Sequence, residues 1–244
     1  MLENLIAFLE SLDIPKAAEQ VRFLFDPVNI PFAIWETLYA PLVATVLAYV
    51  IGLPLGVLLV TGEKDGIHPM PGWLMKVVNI AINLLRSVPF LILMIIALPL
   101  SKIIVGTKVG TPATIPPMVV CAFPLVARMV ESSLREVNQG VIEAAKSMGA
   151  STWQIITKVL LPEAVPSLIS GGTITVGTIL GYGAMAGIIG GGGLGKMAIQ
   201  YGYYNFKFIV MWAAVIGLIV LVQIFQSVGG RLAVKLDKRL RNRS

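Results

Sequence analysis

Few side chains in this sequence are equipped for chemistry, and their spacing narrows them further. Gly190, Gly195 and Lys196 match Gly-x4-Gly-Lys, the pattern of a loop whose backbone amides cradle phosphate. That loop needs Ser or Thr next, to hold magnesium, and the next residue is Met197. It also follows an apolar helical stretch rather than a strand. The run therefore reads as a tight, flexible loop of glycines between two apolar segments. His68, the single histidine, stands in a Gly/Pro loop with no His or Cys nearby, and reads as solvated rather than as a metal ligand. Cys121, the single cysteine, excludes an internal disulfide and reads as a small buried hydrophobe. No Ser or Thr in an apolar segment has a His partner, and no carboxylate pair falls in an apolar run. These residues predict no catalytic set, no metal site and no cofactor in this chain, so any energy source is borrowed from a partner.

The one compact polar island is a docking shape. Asn138 can cap a short helix on which Val141, Ala144, Ala145 and Met148 are expected to share a face. Gly149 ends it by taking the left-handed conformation that a C-terminal cap requires. Ser151 and Gln154 have capping-box spacing and open a second helix presenting Trp153, Ile156 and Leu160. Pro162 is expected to stop that helix or restart it as the next span. The product is a helix-turn-helix with small residues at its tip, a peg for a partner's groove.

The elements that must position this peg are membrane spans. Of 244 residues, 56% are hydrophobic and only 13% charged, against about 25% charged in a soluble domain. Mean hydropathy is +0.84. Apolar stretches predict spans at roughly 31–60, 88–106, 112–132, 164–189 and 208–230. The second is ambiguous, because 74–100 is also long enough; the later start keeps Arg86 at the interface rather than at depth. Glu36 falls near the outer end of the first span, where a carboxylate reaches water. Arg128 and Glu131, three apart, are placed to pair. In the fourth span Thr173, Gly177 and Gly181 form one four-residue ladder and Gly183, Gly187 and Gly191 another, allowing close helix approach. Residues 1–29 read as an amphipathic, acidic segment, with Leu2, Leu5, Ile6, Leu9 and Leu12 at helical spacing. Its early charges, Glu3, Glu10 and Asp13, do not fit a secretory signal. Residues 30–232 form the membrane domain. Residues 233–244 form a basic tail with Lys235, Lys238, Arg239, Arg241 and Arg243. The net charge of +6 collects there, which beside an apolar span points to the cytoplasmic side and anionic lipid rather than to nucleic acid. The positive-inside bias then puts the peg and the C-terminus inside and the N-terminus outside.

Glu143, Ala144, Ala145, Gly149, Val159, Leu161 and Pro162 stand in the register of the cytoplasmic signature of permease subunits of ATP-binding-cassette (ABC) importers, with Val159 where that family prefers Ile. Trp35-Glu36-Thr37-Leu38, Arg86-Ser87-Val88-Pro89-Phe90, Gly181-Tyr182-Gly183-Ala184-Met185 and Gln200-Tyr201-Gly202-Tyr203 extend the likeness over about residues 33–232, and resemble the methionine-importing branch. The resemblance implies an all-α integral membrane protein with five transmembrane helices and a cytoplasmic coupling helix, the type I importer permease fold. It implies import of L-methionine, often with D-methionine and close derivatives, through the bacterial inner membrane. Glu143, Ala144, Ala145, Gly149, Ser151, Leu161 and Pro162 become the ATPase-coupling residues. Met185, and with it Tyr182, becomes a path or gate residue. The implied partners are two ATP-binding subunits, which hold ATP and magnesium, and an extracytoplasmic methionine-binding protein or lipoprotein. Five helices are few to enclose a path, so a second copy of the chain is expected across a twofold axis. The alternatives are an ABC permease for another small solute, or a stand-alone channel or secondary carrier.

Overall fold

The structure, a computed structural model, describes residues 2–11, 16–26 and 29–236. All regular elements among them are helical: α1 (Leu2–Ser11), α2 (Ala17–Phe25), α3 (Asn29–Thr61), α4 (Gly72–Ser87), α5 (Phe90–Ile104), α6 (Thr111–Arg135), α7 (Gln139–Ser147), α8 (Thr152–Ile155), α9 (Leu161–Ala186), α10 (Gly193–Lys196) and α11 (Phe208–Leu236). α3, α6, the continuous run Thr152–Ile189 and α11 are each long and apolar enough to cross a bilayer. α4 and α5 make a fifth crossing when taken as one unit bent by 110°. The bend follows from Pro89, which disfavours helical backbone at Val88; Val88 is extended, at φ −77° and ψ 131°. α5 alone rises only about 22 Å, less than the ~30 Å hydrocarbon thickness.

The centre of the bundle is the α3–α6 pair. α6 is buried along most of its length, including Pro116, Pro117 and Pro124. α3 meets it through Gly52 and Gly56, one turn apart. A Cβ at Gly52 would lie 2.7 Å from Val126 Cβ, and one at Gly56 would lie 2.6 Å from Val130 Cβ and 2.7 Å from the Ala127 carbonyl oxygen. Glycine at both places lets the backbones close and the valines fill the groove. Ala44, Ala48, Met94, Met118, Ala122 and Ile179 complete the apolar core around that contact.

The two ladders in α9 serve different neighbours. Thr173 lies against Gly229 of α11, and Gly177 faces Gln226 of the same helix. Gly183 takes Pro41 of α3, and Gly187 takes the backbone of Gly195 and Lys196. Gly181 has nothing beside it. The N-terminal segment is two helices, not one. Ile6 is half-buried, and Leu12 lies outside the described residues. α2 packs back onto the bundle: Ile209 N donates to Gln20 Oε1 at 2.9 Å, Lys207 bonds Glu19 at 2.9 Å, and Phe23 meets Tyr201 at 5.1 Å between ring centroids. α11 runs on to Leu236, past the expected start of the tail at 233, and residues 237–244 lie outside the described residues.

Replacing Gly56 by Val should destabilise the fold by about 1–3 kcal/mol through overpacking. The thermal midpoint of purified protein in detergent should fall, and Val130→Ala should recover only part, because the Ala127 carbonyl remains in the way. An unchanged midpoint for Gly56→Val would contradict the close crossing.

Candidate functional site

The polar island folds from its caps inward. Gly140 N donates to Asn138 Oδ1 at 2.8 Å and starts α7. Gly149 closes it at φ +76°, with Gly149 N donating to the Lys146 carbonyl at 3.0 Å and Ala150 N to the Ala145 carbonyl at 3.1 Å. Gln154 N donates to Ser151 Oγ at 3.3 Å and Ser151 N to Gln154 Oε1 at 2.8 Å, a complete capping box. On the outer side Val141, Ala144, Met148 and Trp153 are exposed, Met148 by 80% and Trp153 by 72%. Glu143, Gly149 and Ser151 are exposed too.

Two expectations need correction here. Ala145 does not share the face of Val141, Ala144 and Met148. One residue on from Ala144 is a 100° rotation, and that turns Ala145 inward with Ile142. Leu160 is not presented either; it is fully buried, as is Ile155, in the same cluster as Leu134 and Val137. The peg thus has an open apolar face and a back face sealed to the bundle core. Pro162 does not stop the chain. A π-helical turn over Ile156–Leu160 widens the helix ahead of it, and the run passes directly into α9, with half-buried Leu161 and exposed Pro162 in its first turn.

Next to the peg, ionic bonds tie α6 to α4 and the 62–71 loop. Arg128 pairs with Glu131 at 2.6 Å, as its spacing suggested, and also donates to Asn79 Oδ1 and Asn83 Oδ1, both at 2.8 Å. Arg135 bridges Glu131 at 2.8 Å and Glu63 at 2.6 Å. The guanidinium beside Glu63 holds its carboxyl below the usual carboxylate range.

At the opposite end of the bundle is a clasp that sequence reading missed. Glu36 does not simply face water. One carboxylate oxygen accepts from the Thr111 hydroxyl, and the other accepts from Gly193 N at 2.9 Å. Leu194 N donates to Thr37 Oγ1 at 2.8 Å, and Gly110 N to the Gly190 carbonyl at 2.9 Å. Gly192 lies so close to the Glu36 carboxylate that a Cβ would overlap it, and Gly193 sits at φ +79°. The glycine run is therefore a pinned loop rather than a loose one. The likeness to a phosphate loop was the available signal: an amide-rich turn favours an anion, and α3 supplies one.

The two proposed path residues, three apart and so about 60° apart around α9, differ in exposure. Met185 is 45% exposed, and Ile174, Gly181 and Ile188 are exposed at spacings that put them on the same face. Tyr182 is half-buried and stacks on Phe90, with centroids 4.0 Å apart and planes 9° apart. It lines an open cleft of about 370 Å³ at the α4–α5 bend, together with Arg86 and Cys121. Cys121 lies about 15 Å from the start of α6, so the cleft that Arg86 borders opens beside the middle of that helix.

The profile of the binding-protein-dependent transport system inner membrane component matches residues 52–242. The chain belongs to that family. A probable D-methionine transport system permease of Vibrio cholerae is 48% identical over 208 residues, 85% of this chain and 92% of its own length. A methionine import system permease of Bacillus subtilis is 47% identical over 171 residues, 68% of this chain and 77% of its own. Among solved structures, the inward-facing MetNI methionine ABC transporter superposes with a TM-score of 0.83 at 42% identity, covering 86% of this chain and 96% of that one. An amino acid ABC transporter with histidines, at 16% identity and a TM-score of 0.67, shares the fold. The all-helical, multi-pass permease fold of ABC importers is therefore the fold of this family member.

Glu36→Ala should free the loop. Hydrogen exchange in peptides spanning residues 190–196 should quicken on the order of tenfold or more, while α7 is unchanged. Equal exchange in both proteins would show that the clasp does not hold the loop.

Proposed function

We propose that this permease is the membrane-spanning subunit of an ATP-driven methionine importer, taking L-methionine and also D-methionine and close derivatives. One observation carries the ATP-driven part: α7 and α8 expose Val141, Ala144, Met148 and Trp153 while Ile142, Ala145, Ile155 and Leu160 are packed into the core. An open apolar face suits a partner's groove, and a sealed back face transmits what the partner does. The methionine part is supported by the permeases named above, which cover most of this chain.

Two copies form the path, each with its exposed α9 face turned to the other. The peg lies in the cytoplasm with the C-terminus, and the N-terminus lies outside. Two ATP-binding subunits receive the pegs through Glu143, Ala144, Ala145 and Gly149, with Ser151, Leu161 and Pro162 holding the peg's shape. ATP and magnesium stay on those subunits, and a methionine-binding protein delivers solute from outside. ATP binding draws the subunits together, and this favours one membrane state over the other. Met185 acts at the gate on the open face of α9. Tyr182 borders the path from the cleft side.

The test is uptake of labelled methionine into proteoliposomes holding this chain, its cognate ATPase and the binding protein. Uptake should require ATP and all three components, and methionine-like solutes alone should compete. Uptake without ATP would replace the reading with a carrier or channel; an assembled ATP-hydrolysing complex that imports a different solute would overturn the substrate.

A further inference from the structure

We propose that the cleft at the α4–α5 bend is a solute subsite on the path, where Arg86 holds the carboxylate of a zwitterionic amino acid and the Phe90–Tyr182 pair supports its apolar side chain. This rests on the importer reading above and adds to it a binding site and the part of the solute it recognises.

Among the arginines of α4 and α6, Arg86 differs from the other two. Arg128 is bonded to Glu131, Asn79 and Asn83, Arg135 to Glu131 and Glu63, and Lys207 to Glu19. Arg86 is exposed, borders the cleft together with Cys121 and Leu125 of mid-α6, and has no hydrogen-bond or ion-pair partner among the described residues. An unpaired guanidinium beside apolar spans is costly, and such groups mark ligand and ion paths. Here it borders a cleft of about 370 Å³, within the range of small-ligand sites. α5 begins at Phe90, so the positive end of its dipole lies at the same cleft and also favours an anion.

The remaining lining selects the rest of the solute. Phe90 and Tyr182 stack in parallel, and Leu93, Cys121 and Leu125 add apolar surface. A thioether or aliphatic side chain packs well on such rings. A single guanidinium with no second cation in the lining suits a monoanionic carboxylate better than a phosphate, which would need further cations.

The experiment reads this chain alone within the full transporter. Ser87, which lines the cleft, is replaced by Cys in a Cys121→Ala background, with Leu125→Cys as a second reporter. Each is reconstituted with the ATPase and binding protein and labelled with 2-aminoethyl methanethiosulfonate, in nucleotide-free and vanadate-trapped states. Labelling is scored by the mass of this chain. In at least one state, L-methionine at about ten times its dissociation constant should slow labelling roughly tenfold. 3-(Methylthio)propylamine, which lacks the carboxylate, should not protect. Arg86→Gln should weaken protection by on the order of tenfold to a hundredfold, and Arg86→Lys should restore much of it. Equal protection by the amine, protection that survives Arg86→Gln, or no protection in either state from both reporters would overturn the subsite. If the unaltered transporter imports no methionine yet another zwitterionic amino acid protects in an Arg86-dependent way, the methionine reading fails and the subsite stands.

Discussion

The close approach of α3 and α6 at Gly52 and Gly56 is the constraint on which the rest of this permease depends. With no Cβ between them, the two backbones meet over Val126 and Val130, and α6 becomes a buried shaft through the bundle. Each end of that shaft carries a polar joint. At one end Leu134 and Val137 share a cluster with Ile142 and Ala145 of the peg, and Arg128 and Arg135 tie down α4 and the 62–71 loop. At the other end Thr111 donates to Glu36, which also binds the glycine loop.

Those joints are polar for a reason that lies in the solvent. A span has no water to satisfy stray donors and acceptors, so polar groups beside it gain from partners within the protein. Glu36 does so with a hydroxyl and a backbone amide, Glu131 with two guanidinium groups, and Gln20 by capping the amide of Ile209 at the start of α11. The consequence is mechanical as well as energetic. The loop between α9 and α11 is pinned to α3 on one side and to α2 on the other, while Ile174, Gly181 and Met185 of α9 and Ile188 at its end are exposed. One side of the permease is braced, and the other is exposed.

Much of this was legible from residue types. Hydropathy located the helices that cross, and Asn138, Gly149, Ser151 and Gln154 located the peg, because caps and a left-handed glycine are local chemistry. The pairing of Arg128 with Glu131 followed from their spacing. What failed was whatever depends on a distant neighbour. The side of α7 that Ala145 occupies is decided by the core beneath it. The fate of Glu36 is decided by Gly193, far along the chain, and no local pattern joins them. The cleft that Arg86 shares with Cys121 depends on a 110° bend, whereas Pro89 by itself signals only that a helix ends. At Pro162, where the sequence left a stop or a restart open, the chain runs on into α9, with a π turn making room for the proline.

The central claim is that the peg moves the bundle through the packing of its back face onto the α6 shaft. Ile142 is the side chain at that joint, 5% exposed and away from the docking face. The most direct test is the number of ATP molecules hydrolysed per methionine imported by reconstituted transporter carrying Ile142→Ala. The cavity should loosen the joint without touching the docking surface, so hydrolysis should persist while import falls and the ratio rises severalfold. A ratio equal to that of the unaltered protein, in a variant that still assembles, would show that motion reaches the spans by another route.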